Sequence, residues 1–161
     1  MRVAASRRIG APIETVWGII SDPDSALSYM AGITRWERIE GSPRELGARY
    51  RMLLRVGSAQ VGGLIEIVEW DAPREMAWTS VTGVDQRGRF RLRASPGGRT
   101  RVEIRMAYGV AGAGPAGWIA EKIAAPIVTG HLRRTLQQLE RLVEYEQTRA
   151  RAATRRAAHA G

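Results

Sequence analysis

The chain has 161 residues and no cysteine, which excludes a disulfide framework and any thiolate metal site. Its histidines are His131 and His159 alone. They form no HxH or HExxH spacing and no carboxylates gather around His131, so no metal and no cofactor are expected. Nucleophilic catalysis has no support, because there is no thiol and no serine in an elbow motif. No apolar run approaches the roughly 20 residues of a membrane span. Met1 to Gly10 alternates as a polar strand and does not read as a secretory signal, so a cytoplasmic location is expected. Lysine is almost missing too: Lys122 is the only one, and the net charge of +9 is carried by arginine.

What is present is an order of elements. The length suits one domain with a sizeable core. Val3 to Ile9 reads as a first strand, and Ala11-Pro12 opens a short helix with Ile13, Val16, Trp17 and Ile20 as its apolar stripe. Asp22-Pro23-Asp24 stops that helix and starts a second one through Ala26, Leu27 and Met30, closed by Gly32. Ile33 to Glu40 follows as a strand that puts Trp36 and Arg38 on one face.

The next segments alternate with period two. Tyr50, Met52 and Leu54 share one face against Arg49, Arg51 and Arg55. Val61 to Trp70 is a strand in which Gly62-Gly63 predicts a bulge. Met76 and Trp78 then share a face. Phe90 and Leu92 oppose Arg87, Arg89, Arg91 and Arg93. After a hairpin at Ser95-Pro96-Gly97-Gly98, Val102, Ile104, Met106 and Tyr108 oppose Arg101, Glu103 and Arg105. This is a meander with one apolar and one basic face. The final helix runs from Pro115 to about Tyr145, with Trp118, Ile123, Ile127, Leu132, Leu136, Leu139 and Val143 as apolar positions and Pro126 expected to kink it.

The fold class is therefore α+β: a curved antiparallel sheet wrapped around one long C-terminal helix, with two short N-terminal helices. The domain is expected over residues 1–146. A basic tail, residues 147–161, follows as a helix extension or a disordered end, with Arg149, Arg151, Arg155 and Arg156 beyond the last acidic residue, Glu146. One helix is too slim to fill so long a curved sheet, which predicts an apolar cavity between them. The expected lining is Trp36, Tyr50, Met52 and Leu54; Met76, Trp78, Phe90 and Leu92; Ile104, Met106 and Tyr108; and, from the helix, Trp118, Ile123, Ile127, His131 and Leu132.

Particular residues carry a resemblance over roughly Val3 to Glu144. They are Ala11-Pro12 with Val16-Trp17 and Asp22, Gly47 with Tyr50, and Glu69-Trp70-Asp71-Ala72-Pro73-Arg74 ahead of the long helix. In this order the chain resembles the START-like (SRPBCC) helix-grip superfamily, in its bacterial polyketide cyclase/dehydrase and lipid-transfer branch. The resemblance implies a small apolar ligand, a lipid, sterol, polyketide or hormone, held by a carrier, a sensor or an enzyme.

Three constellations bear on chemistry. Gly112 to Gly117 matches GxGxxG, but no strand returns after the helix and Pro115 removes a backbone donor, so nucleotide binding is not expected. Arg38, Tyr50 and Tyr108 are the candidate catalytic groups: an inward arginine with phenols could polarise a ketone, as aromatic cyclisation requires. Alternatively Arg38 pairs with Glu69 or another strand carboxylate and the tyrosines are core. The arginine rows could face an anionic surface. Weak contact with an anionic membrane is the expected form, and nucleic acid is not expected, because no exposed aromatics interleave the arginines. The oligomeric state is left open.

Overall fold

Pro12 stands at the start of the first helix, where its missing N–H costs nothing, and Val16, Trp17 and Ile20 bury one side of that helix. The computed structural model describes residues 1–109 and 114–160, the side chains of 114–121 excepted. In chain order the elements are β1 (Arg2–Ile9), α1 (Ile13–Ile20), a 3-10 turn (Pro23–Ser25), α2 (Ala26–Tyr29), β2 (Ile33–Arg38), β3 (Arg49–Val56), β4 (Ala59–Asp71), β5 (Glu75–Ser80), β6 (Asp85–Ser95), β7 (Arg99–Gly109) and α3 (Gly114–His159). Asp22 caps the 3-10 turn by accepting from the Asp24 backbone N–H and the Ser25 hydroxyl.

The seven strands form one antiparallel sheet in the order β1-β7-β6-β5-β4-β3-β2. It curls around α3 as a half-barrel, and this is the helix-grip fold. Tyr50, Met52 and Leu54 face inward from β3, as do Phe90 and Leu92 from β6 and Val102, Ile104 and Met106 from β7. From α3, Val128, Leu132, Leu136, Leu139 and Val143 meet them at helical spacing. Each such burial contributes about 1.5–3 kcal/mol. Three polar contacts hold covering elements to the sheet or to each other. Arg7 on β1 pairs with Glu140 on α3 at 2.5 Å, the Thr135 hydroxyl accepts from the Ala31 N–H at 2.9 Å, and the Thr100 hydroxyl donates to Ala11 O at 2.7 Å.

The bulge is not at Gly62-Gly63. Those residues pair in unbroken register with Leu53 and Met52, and the β4 irregularity falls between Ile67 and Glu69, at the exposed Val68. The glycines serve close approach instead. A Cβ at 62 would lie 2.1 Å from the Met52 carbonyl oxygen, and one at 63 would lie 2.2 Å from that of Thr82. α3 continues through Pro126 as one helix and extends through residues 147–159, where the side chains beyond Gln147 are exposed. Among the described residues no helix is long and apolar enough to cross a membrane.

Candidate functional site

The interior of the grip has two ends, and they differ. At the end covered by α1 and α2 it is packed. Trp36 stacks on Tyr50 with ring centroids 4.7 Å apart, Trp78 meets Phe90 at 5.9 Å, and Tyr29 meets the same Phe90 at 6.4 Å. Only about 10 Å³ stays free among these rings and Met76, the lower limit for one water molecule. Among the described residues the indole nitrogens of Trp36 and Trp78, buried there, have no hydrogen-bond partner. Burial pushes the Tyr50 phenol above its ordinary pKa; Arg38 opposes that shift, and Asp24 and Asp22 reinforce it.

At the other end a hollow of about 210 Å³ lies between the tip of the β3–β4 hairpin, the facing ends of β6 and β7, and the N-terminal half of α3. Leu54, Val56, Ala59 and Val61 line it from the hairpin, Val84 and Gln86 from the β6 side, Met106 and Tyr108 from β7, and Ala124 and Val128 from α3. Ala59 is the exposed residue of its described lining, and the others are buried or half-buried. The described lining contains no charged side chain, and its polar groups are the Gln86 carboxamide and the Tyr108 hydroxyl. The Tyr108 hydroxyl donates to Met1 Sδ at 3.4 Å.

The residues expected around one cavity are thus divided. Leu54, Met106 and Tyr108 border the hollow. Tyr50, Met76, Trp78 and Phe90, with the half-buried Trp36, surround the packed end. Met52, Leu92, Ile104 and Leu132 are core, and Ile127 is half-buried. The side chain of Trp118, and residues 112 and 113 of the glycine motif, lie outside the described residues. Ile123 does not face inward: it is 64% exposed, on the solvent side of α3.

Arg38 does not enter the interior either. It ends the edge strand β2, where the guanidinium stays in water and donates to Ser42 O at 2.7 Å. Glu69, an expected partner, is taken by Arg89 at 2.7 Å. His131 points away from the hollow and rests on Gly32. Arg55 O can only accept, so Nε2 donates to it at 2.9 Å, and Nδ1 accepts from Arg134 at 2.7 Å. Gln86 was not singled out by sequence. The signal was there, since it stands two residues before Gly88 and four before Phe90, on the inward positions of β6.

On the outer face Arg89 pairs with Glu69 and Glu75, Arg91 with Glu75, and Arg105 with Glu103. The hydrogen-bonded Glu75 carboxylate raises the pKa of the Arg91 guanidinium. Arg8, Arg101 and Arg93 are direct cross-strand neighbours on β1, β7 and β6, and among the described residues none of the three meets a carboxylate. No group of three His, Asp or Glu among the described residues could hold a metal ion.

The family model for polyketide cyclase/dehydrase and lipid transport matches residues 1–144. The chain belongs to this family. Solved structures of similar fold include TTHA0849 of Thermus thermophilus, 22% identical with a TM-score of 0.77, the match covering 91% of this chain and 99% of that one. The Zhui aromatase/cyclase from Streptomyces sp. R1128 is 19% identical with a TM-score of 0.68, covering 89% and 95%. DR_A0006 of Deinococcus radiodurans is 19% identical with a TM-score of 0.63, covering 88% and 95%. No curated protein matches. For this polyketide cyclase/dehydrase and lipid-transport family member, such identities establish the fold and leave the ligand to the site itself.

Proposed function

We propose that the protein binds or carries a small, largely apolar, lipid-like or polyketide-like molecule in the hollow beside α3. The observation that carries this reading is a space of about 210 Å³ walled mainly by aliphatic side chains, the exposed Ala59 among them. An engineered apolar cavity of about 150 Å³ takes benzene, so this one suits a ring with a few added carbons, a bicycle, or part of a longer chain. The family description supports such a cargo.

The alternative is a polyketide cyclase/dehydratase, the activity that the name of the Streptomyces relative suggests. It needs Arg38, Tyr50 and Tyr108 around one ligand. Of these only Tyr108 borders the hollow, Tyr50 lies under Trp36, and Arg38 is outside. A carrier or sensor is the better-supported reading. A third property accompanies it: the arginine row on the outer face gives weak attraction to an anionic lipid surface.

Naphthalene fluorescence on titration with the full chain tests the ligand site. The wild-type protein is expected to bind it, and Ala124→Trp, which fills the hollow from α3, to abolish binding without unfolding. Equal binding by both proteins would remove the hollow as the site. No binding by the wild type, with no lipid seen by native mass spectrometry, would end the carrier reading.

A further inference from the structure

Gln86 is 6% exposed and projects inward on β6, directly across from Tyr108 on β7. Its backbone is held by the Ser80 hydroxyl, which accepts from the Gln86 N–H at 3.1 Å. Its side chain borders the hollow among Leu54, Val61, Val84 and Val128. A carboxamide offers two donors and an oxygen with two lone pairs. Among the described residues this one meets a single polar atom, Met52 Sδ, 3.8 Å from Nε2. A thioether is a weak acceptor. One N–H and the whole of Oε1 have no protein partner among the described residues and face the hollow, so an apolar ligand that displaces water from it must replace their hydrogen bonds or leave them unpaired at a cost.

We infer that Gln86 is the polar anchor of the ligand, and that the ligand is a neutral, mainly apolar molecule carrying one hydroxyl group at its buried end. The inference rests on reading the hollow as a ligand site. A hydroxyl donates to Oε1 and accepts from Nε2, which uses what the carboxamide has unspent. A hydrocarbon would leave the amide unpaired. A carboxylate would be buried against a described lining that holds no cation, and would lose its hydration without compensation. Sites built to hydrogen-bond a hydroxyl reject the analogue lacking it far more strongly than an apolar pocket rejects an added one.

The test compares naphthalene, 2-naphthol and 2-naphthoate as fluorescent probes of the wild-type chain and of Gln86→Leu, which keeps the volume and removes the amide. The wild type is expected to bind 2-naphthol about tenfold more tightly than naphthalene, and 2-naphthoate most weakly. In Gln86→Leu the affinity for 2-naphthol falls about tenfold, naphthalene is held as well or better, and the melting midpoint does not drop. Should that variant misfold, Gln86→Met and the wild-type rank order carry the same test. Equal affinity of the wild type for naphthalene and 2-naphthol, or a preference that survives Gln86→Leu, overturns the anchor while the hollow remains a ligand site. Tighter binding of 2-naphthoate overturns the neutral ligand. Failure of all three probes to bind the wild type removes the hollow as a ligand site and this inference with it.

Discussion

The indole of Trp78 lies flat over Gly88, its direct cross-strand partner, so that a Cβ at 88 would stand 1.9 Å from Trp78 Cζ2. Trp78 is 1% exposed and boxed in by Phe90 and the other rings of the packed end. It has nowhere to move. Gly88→Ala is expected to cost about 1–3 kcal/mol in urea unfolding through overpacking. In a Trp78→Leu background the same change should be nearly neutral, because the ring it strikes is gone. Equal costs in both backgrounds would show that Gly88 matters for its backbone and not for this contact.

His131 bridges α3 to the end of β3 and to the turn before β2, with both ring nitrogens occupied. Its role is therefore tethering and not chemistry on a ligand. His131→Phe should lower stability by about 1–2 kcal/mol, the loss of two modest hydrogen bonds. Naphthalene affinity should stay within about twofold of wild type, since the ring does not line the hollow. A large loss of binding with unchanged stability would return His131 to the ligand site.

Tyr29 is fully buried, and its hydroxyl donates to Ile20 O at 3.3 Å. Burial, reinforced by Asp22, pushes the phenol well above its ordinary pKa of 10.0. In the unfolded chain it ionises near 10, while the fold holds the proton. The stabilisation is complete below pH 10 and is lost as pH rises beyond it. Urea midpoints between pH 8 and 11.5 should fall on the alkaline side, with a limiting slope of about 1.4 kcal/mol per pH unit for this group. Tyr29→Phe should flatten the decline without abolishing it, because Tyr50 is raised too. An unchanged alkaline slope in Tyr29→Phe would mean that another group governs the loss.

Much of this was legible because an antiparallel sheet with one wet face writes itself as alternation. Tyr50, Met52 and Leu54 show it on β3, and Leu132, Leu136, Leu139 and Val143 show the helical equivalent. Parity names a face and does not say how far the covering helices reach. Arg38 has the same parity as Trp36, yet it sits at the end of an edge strand, where water is closer than the core. Gln86 shares the inward parity of Gly88 and Phe90, but a polar residue beside Asp85 and Arg87 does not stand out as part of an apolar face until the register sets it across from Tyr108. The hollow itself joins a hairpin tip to two distant strand ends and one helix face. No local pattern announces a meeting of segments so far apart in the chain.

Arg101 stands between Arg8 and Arg93 on the outer face, and its Nη2 donates to the Ser6 hydroxyl at 3.5 Å. Like charges directly opposed across strands repel. A row of them that forms no ion pair among the described residues, the nearby Glu103 being paired with Arg105, costs stability and gains attraction for anions. Arg101→Glu reverses the central charge and should form pairs with both neighbours. Its melting midpoint should rise by about 1 °C at low salt. The gain should vanish near 1 M salt, where the Debye length shrinks to about 3 Å. Co-sedimentation with phosphatidylglycerol-containing vesicles at low salt should fall in the same variant, while naphthalene binding on the inner side of the sheet is unchanged. Vesicle binding that ignores both the substitution and the salt would mean that the arginine row is not the membrane-facing surface.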